Sequence, residues 1–278
     1  MEAAESSLRD CVRGGPGSAA RLTGPGQERL GVLLVLLGAE FGEPWRTGVT
    51  RAAVTAELVR LSWARPVPEP SAEWLLLRSA QLAAGLGTEA LRFNARAAGR
   101  LAAAQLRTEA GPAPGEDPVA YLEATAADGA ALAALALGLG ATQAGAPDRY
   151  VRALTECGEH LGTALRIITR LRAAPRPVAA SRPGTRTVAD GRPGAPARSP
   201  LRVPATRRPS AVGAGPGTLL ASRGRTATVP RTAEITVRAV RRAHQRLDRA
   251  RAAVGVLPSL PARRAVYALC DTVAARTS

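Results

Sequence analysis

The chain has no lysine. All 38 basic residues are arginine, set against 22 acids, for a formal net charge of +16 over 278 residues. An all-arginine basic set records a G+C-rich coding bias, so a single arginine says little about a bidentate anion site. A phosphate-binding loop is excluded too, because the GAGPG string at 213–217 follows no strand and precedes no helix carrying lysine. Aromatic residues make up 3% of the chain, too few to stack nucleic-acid bases and unfavourable to β-sheet. Three cysteines, Cys11, Cys157 and Cys270, stand far apart, which excludes a disulfide framework and fits a reducing compartment. The only histidines are His160 and His244, so the Cys157–His160 spacing has no further ligands for a metal and is read as structural. Ser, His and Asp fall in no arrangement for nucleophilic catalysis. The longest apolar run, 130–141, has twelve residues broken by glycine, short of the roughly 20 that span a bilayer. The start, Met-Glu-Ala-Ala-Glu, lacks the basic region and apolar core of a signal peptide. The expected location is the cytoplasm.

What is abundant is alanine and leucine, which favour helix. Residues 121–172 read as two apolar helices joined by a tight turn. In the second, Leu154, Cys157, Leu161, Ala164, Leu165, Ile168 and Leu171 recur every three or four positions and share one buried face. Ahead of this stretch, residues 1–27 carry GGPG and GPGQ, a flexible lead with room for one short helix. Apolar helices are expected at 28–42 and 50–64. Ser71 is an N-cap candidate for the next helix, and Thr88 is another for a helix over 89–110. Asp117-Pro118 starts a helix, with Pro at its first position, and Pro147 starts the following one. Residues 173–231 hold eleven Arg and one acid, Asp190, a net of +10, against 27 Arg and 21 acids, a net of +6, elsewhere. Rich in Pro, Gly and Arg, this segment reads as a linker or disordered loop, dispensable for folding. Thr232 caps a basic amphipathic helix to about Gly255, and Ser259 opens a last helix. The organisation expected is a helical bundle over 28–172, completed by the C-terminal helices of 232–278.

Several strings resemble a known family. Tyr121, Leu122, Ala130 and Leu132 match the pattern YL-x-x-I-x-x-KTA-x-L. Gly158, Leu161, Gly162, Ala164 and Ile167 match G-x-x-LG-x-AFQI-x-DD-x-x-D. These are patterns of the trans-polyprenyl diphosphate synthases, and the resemblance extends over about 28–172 and 232–276. The run from Leu33 to Leu37 is similar to the family's GKRLRP-x-LVLL, with Arg29 at one basic position, Glu28 in place of its lysine and Gly31 in place of its second arginine. Glu57 and Leu58 match AAA-x-EL-x-H, with Arg60 near the His; Glu73 stands at the Asp of GD-x-L.

The resemblance implies an all-α, isoprenoid synthase-type helical bundle with a long disordered basic insertion, and pairing of subunits through helices of the first half. In that family two carboxylate clusters hold Mg²⁺ ions, which neutralise the leaving diphosphate of an allylic substrate. Neither cluster survives here. Asp128 and Gly129 occupy the Lys-Thr position, and Thr169, Arg170 and Ala173 occupy the second aspartate motif. The first motif is deleted, since only 16 residues separate Glu57 from Glu73.

The expectation that follows is a degenerate, non-catalytic polyprenyl synthase-like protein of isoprenoid biosynthesis. It would act as a partner or regulatory subunit, as a homodimer or as a heterodimer with an active prenyl diphosphate synthase. No catalytic residue, no metal ligand and no cofactor is expected, and Mg²⁺ would enter only at a site built from other residues. If an isoprenoid diphosphate still binds, Arg29, Arg60, Arg166 and Arg170 are the residues for it. Arg166, Arg170 and Arg172 suit the solvated face of an amphipathic helix better than a cationic wall for diphosphate. Glu57 and Glu73 are expected to face each other across the cavity as inherited packing positions. The leucines at 33, 34, 36 and 37 and at 75–77 are either core or a subunit interface. Two alternatives stand beside this reading. One is a remodelled prenyltransferase or isoprenoid diphosphate-binding enzyme; the other is an anionic-partner binder acting through the Arg-rich segment by counterion release.

Overall fold

The structure, a computed structural model, describes residues 1–13, 15, 29–63, 69–173 and 232–277. Apart from Ala173, the expected linker at 173–231 lies outside the described residues. Among the described residues every element is helical. In order they are α1 (Glu2–Arg13), α2 (Leu30–Ala39), α3 (Thr47–Ser62), α4 (Glu69–Ala84), α5 (Thr88–Ala110), α6 (Pro118–Thr125), α7 (Ala127–Gln143), α8 (Asp148–Ala173), α9 (Ala233–Ala253) and α10 (Pro261–Ala275). A 3₁₀ turn, Val254–Val256, follows α9.

Helix α7 is the centre, and its neighbours are α8, α2, α5 and α3. Twelve of its 17 residues are buried, as befits a helix that is apolar on all sides. Its small residues let the neighbours close in. A β-carbon at Gly129 would meet the carbonyl oxygen of Gly162 on α8, and one at Gly162 would meet that of Gly129. On the α2 side, Gly140 abuts the Val35 carbonyl and Gly38 abuts that of Leu137. The C-terminal helices complete the bundle. Helix α9 lays Ala239, Ala243, Leu247 and Ala250 inward and packs on α8 and α6, while α10 reaches α9, α2 and α8.

The lead, in which one short helix was allowed for, carries the helix Glu2–Arg13, and that helix docks on the bundle. Ala4, Leu8 and Val12 recur every fourth residue and are all buried. Leu8 and Val12 join Val54, Leu58 and Leu61 of α3 and Leu75 of α4 in a second small core. The caps also differ. Thr232 does cap α9, accepting from the Ile235 N–H at 3.2 Å. Ser71 does not cap, because α4 starts at Glu69 and leaves Ser71 buried. Thr88 is already inside α5, and the capping position falls to Gly87, at φ 103°, a conformation that glycine takes without strain. Asp117 precedes Pro118 as expected, but its carboxylate does not cap. It accepts instead from Arg238 of α9, 2.9 Å from each oxygen. The last helix starts at Pro261, with Leu260 rather than Ser259 before it.

The helical stretch Pro118–Gln143, 26 residues, is long and apolar enough to cross a membrane by length and composition, which the twelve-residue run alone did not suggest. In the bundle 78% of its apolar window is buried. The leucines left open between core and interface divide. Leu34 and Leu75 are core, Leu36 and Leu37 are partly buried against it, and Leu33 and Leu77 are exposed, Leu77 by 67%.

Glycine contacts set the helix spacing, so Gly162→Val should destabilise the protein by about 3 kcal/mol, at the upper end for overpacking. Gly99→Ala on α5, where a β-carbon would meet nothing within 4 Å, should instead stabilise it by about 1 kcal/mol. Urea titrations read both changes. Two variants of equal stability would show that the crossings are looser than described.

Candidate functional site

Helices α2, α3, α7 and α8 leave a cavity of about 200 Å³ between them, with Leu269 and Val273 of α10 along one side. Its walls are apolar: Leu30 and Leu34, Ala56, Leu132 and Ala133, Leu161 and Leu165. Among the described residues the polar lining is Arg60, Asp128, Arg166 and Thr169, with the indole of Trp63 beside them.

The first polar group comes from α3 and α2. Glu57 is fully buried, and a buried carboxylate needs partners that satisfy its charge. Arg60, one turn on, supplies them: its Nε donates to both carboxylate oxygens at 3.1 and 3.0 Å, and its Nη2 to Oε1 at 2.6 Å. The Gly31 N–H donates to Oε2 at 3.0 Å. A β-carbon on Gly31 would lie 2.7 Å from that oxygen, so this carboxylate holds position 31 to glycine.

The second group joins α7 to α8. Asp128, in the first turn of α7, is nearly buried. Its Oδ2 accepts from Arg166, with Nε at 2.8 Å and Nη2 at 2.6 Å, and from Arg170 Nη2 at 3.2 Å. Its Oδ1 accepts from the Gly129 N–H at 2.7 Å. The two arginines are one turn apart on α8. Burial pushes the pKa of Arg170 down from its ordinary value; Asp128 opposes that shift, and neighbouring Arg166 adds to it.

Of the arginines expected here, Arg60 and Arg166 line the cavity, and Arg170 stands behind them on Asp128. Arg29 precedes α2 and is not in the lining, and Arg172 is exposed. Glu57 and Glu73 do not face each other across the cavity. Glu57 turns to Arg60 and Gly31, whereas Glu73 is half-buried on α4 and away from the lining. The residue that sequence reasoning passed over is Asp128. Its signal was an acid at the entrance of a helix otherwise made of Ala, Leu and Gly, where it must find a cation on a neighbour.

A separate polar cluster fastens α9 to the bundle. Arg242 Nε donates to Glu123 at 2.7 Å, and Arg246 Nε donates to the same carboxylate at 2.7 Å. Burial alone would raise the pKa of Glu123, but Arg246 and Arg242 bring it below the ordinary value. Arg246 Nη1 also lies 3.1 Å from His160 Nδ1; a guanidinium only donates, so that nitrogen accepts. Burial and the neighbouring Arg246 lower the pKa of His160. Cys157 is fully buried, and burial pushes its thiol up to about 12, which leaves it unreactive.

The site's donors do not fit Mg²⁺, the metal that the resemblance associates with this chemistry. Both carboxylates at the cavity already accept from arginines. Among the described residues no three His, Cys, Asp or Glu side chains gather. Mg²⁺ asks for oxygen ligands, and three nearby guanidiniums repel it.

No protein-family model and no curated protein matches the chain. Solved structures do match it in fold. A geranylgeranyl pyrophosphate synthase from Corynebacterium glutamicum, complexed with calcium and isoprenyl diphosphate, is 21% identical with a TM-score of 0.69, covering 100% of this chain and 95% of that one. A decaprenyl diphosphate synthase from Rhodobacter capsulatus is 20% identical with a TM-score of 0.66, over 100% and 96% of the two chains. A polyprenyl synthase from Caulobacter crescentus, complexed with calcium and isoprenyl diphosphate, is 17% identical with a TM-score of 0.66, over 99% and 94%. The chain has the all-α isoprenoid synthase fold.

Two measurements probe these polar clusters. Asp128→Asn leaves two arginines around a neutral amide and should cost about 2 kcal/mol in a urea titration, the half-exposed Arg166 keeping the loss below that of a fully buried pair. An unchanged midpoint would show that Asp128 holds nothing. His160 has a folded-state pKa below its ordinary 6.5, so the unfolded chain takes up the proton more readily. Its contribution to stability is full above about pH 6.5 and is lost as pH falls towards the folded-state pKa. The His160→Gln variant should lose that slope; the slope of Glu123, whose ordinary value is 4.5, lies in a lower pH range and should remain.

Proposed function

We propose that this chain is a non-catalytic protein with the polyprenyl diphosphate synthase fold, working in isoprenoid biosynthesis as a partner or regulatory subunit of an active prenyl diphosphate synthase. The observation that carries the reading is internal neutralisation. Arg60 is held by Glu57, and Arg166 and Arg170 by Asp128. A diphosphate with its metal ions would have to break both arrangements, which costs several kcal/mol at the fully buried Glu57 and less at Asp128, whose partner Arg166 is half-exposed. The solved structures of similar fold, named as prenyl diphosphate synthases, support the link to isoprenoid chemistry. Support for a partner comes from apolar side chains left in solvent, Leu33, Leu77 and Trp45, the last 78% exposed.

A second reading, a remodelled isoprenoid enzyme, draws on the cavity, which keeps its volume and its apolar walls. The reading that relies on the Arg-rich segment rests on residues outside those described.

Two experiments decide. The purified chain, given an allylic diphosphate, isopentenyl diphosphate and Mg²⁺, should form no condensation product; turnover abolished by EDTA would establish the enzyme reading instead. The tagged chain should co-purify with an active prenyl synthase of the same cell. Leu77→Glu should dissociate that complex while leaving the melting temperature nearly unchanged, as expected of an exposed position. Failure to recover a synthase would overturn the partner role.

A further inference from the structure

The cavity carries a charge imbalance. Among the described residues three guanidiniums, Arg60, Arg166 and Arg170, meet two carboxylates, Glu57 and Asp128, which leaves one positive charge in excess. That charge does not belong to Arg60, which is paired with Glu57. It belongs to the Asp128 group, where a single oxygen serves both arginines and the other oxygen is taken by the Gly129 N–H. Arg166 lines the cavity and is 40% exposed. Its Nε and Nη2 are used on Asp128, and its Nη1 group makes no hydrogen bond among the described residues. The lowering of the Arg170 pKa by burial, against the pull of Asp128, is a second sign of under-compensated positive charge.

We propose that this cavity binds, without a metal, a short amphiphile with a single negative charge: a carboxylate against Arg166 and an apolar tail between Leu132, Leu161, Leu165 and Leu269. The inference rests on the reading that the site does not take a metal diphosphate. A metal-free diphosphate brings about three negative charges to a place with one positive charge to offer, and the surplus would face Asp128 and Glu57. An uncharged molecule would leave the excess charge unmatched. A planar carboxylate suits a guanidinium edge. A dry apolar cavity of about 150 Å³ holds benzene, so the 200 Å³ here suits a tail of about eight carbons. Arg166 and the exposed Thr169 mark the open end.

The test is calorimetry on the full chain in EDTA, with octanoate, 1-octanol and geranyl diphosphate as probes. Octanoate should bind about tenfold tighter than octanol, the scale of one charge-assisted contact, and tighter than geranyl diphosphate. Arg166→Gln should reduce octanoate to the level of octanol and leave octanol unchanged. Leu165→Phe, at a half-buried wall position, should weaken both. Circular dichroism confirms that each variant is folded, and Arg166→Gln alone suffices if Leu165→Phe is not. Absence of octanoate binding, equal binding of octanol, or indifference to Arg166→Gln overturns the proposal. Tighter binding of geranyl diphosphate overturns the single-charge argument. None of these results bears on turnover or on recovery of a synthase, so the non-catalytic reading stands or falls separately.

Discussion

The constraint on which the rest depends is the contact of Gly129 with Gly162. With a carbonyl of each helix lying close to where the other's β-carbon would be, α7 and α8 meet backbone to backbone. The contact fixes rotation as well as distance, because only the glycine faces can meet there. Asp128 is then the next residue along α7, and Arg166 and Arg170 are one and two turns beyond Gly162 on α8. The ion pairs at the cavity are therefore a consequence of the crossing. The cavity itself begins beside the two glycines, both of which line it, and its width is set by the leucines that follow them.

The two carboxylates differ in what they constrain. Glu57 and Arg60 sit one turn apart on α3, so their pairing needs no tertiary structure, and the fold is read only by the Gly31 N–H that joins them. Asp128 pairs across helices and does so with two partners. An anion arriving at Arg60 competes with a matched bidentate pair. One arriving at Arg166 finds a guanidinium that already shares its counter-ion. The same count of charges thus closes one end of the cavity and leaves the other receptive, which is why internal neutralisation and ligand binding are not in conflict.

Much of the bundle was legible from apolar spacing. The inward face of α8 is the clearest case: Leu154, Cys157, Leu161, Ala164, Ile168 and Leu171 are all buried, and Leu165 turns partly to the cavity. Periodicity reports which face is buried, however, and not what buries it. The docking of α1 was missed because Ala4, Leu8 and Val12 make a weak stripe that gains meaning only from Val54, Leu58 and Leu75. Ser71 and Thr88 were misjudged because a hydroxyl near a helix start does not say whether the helix begins before or after it. At the site, Arg60, Arg166 and Arg170 were singled out, but not that Glu57 and Asp128 hold them. A pair such as Asp128 with Arg166 spans 38 residues and exists only because two glycines bring its helices together.

The same device recurs away from the cavity and bears on the net charge. Arg238, Arg242 and Arg246 lie at intervals of four along α9, which reads in sequence as a basic surface helix. In the structure all three are turned onto acids of the neighbouring α6 and its start: Arg238 onto Asp117, Arg242 and Arg246 onto Glu123. The row is a clamp that fixes the C-terminal helices to the bundle, and most of its charge is met by carboxylates inside the molecule. Of the net +16, +10 lies in residues 173–231 and +6 elsewhere. In the bundle, the cavity and the clamp each set arginines against internal carboxylates. Basic composition is therefore no argument that the folded part seeks an anionic surface, and the two arginines on Asp128 differ from the two on Glu123 in that Asp128 and Arg166 line an apolar cavity.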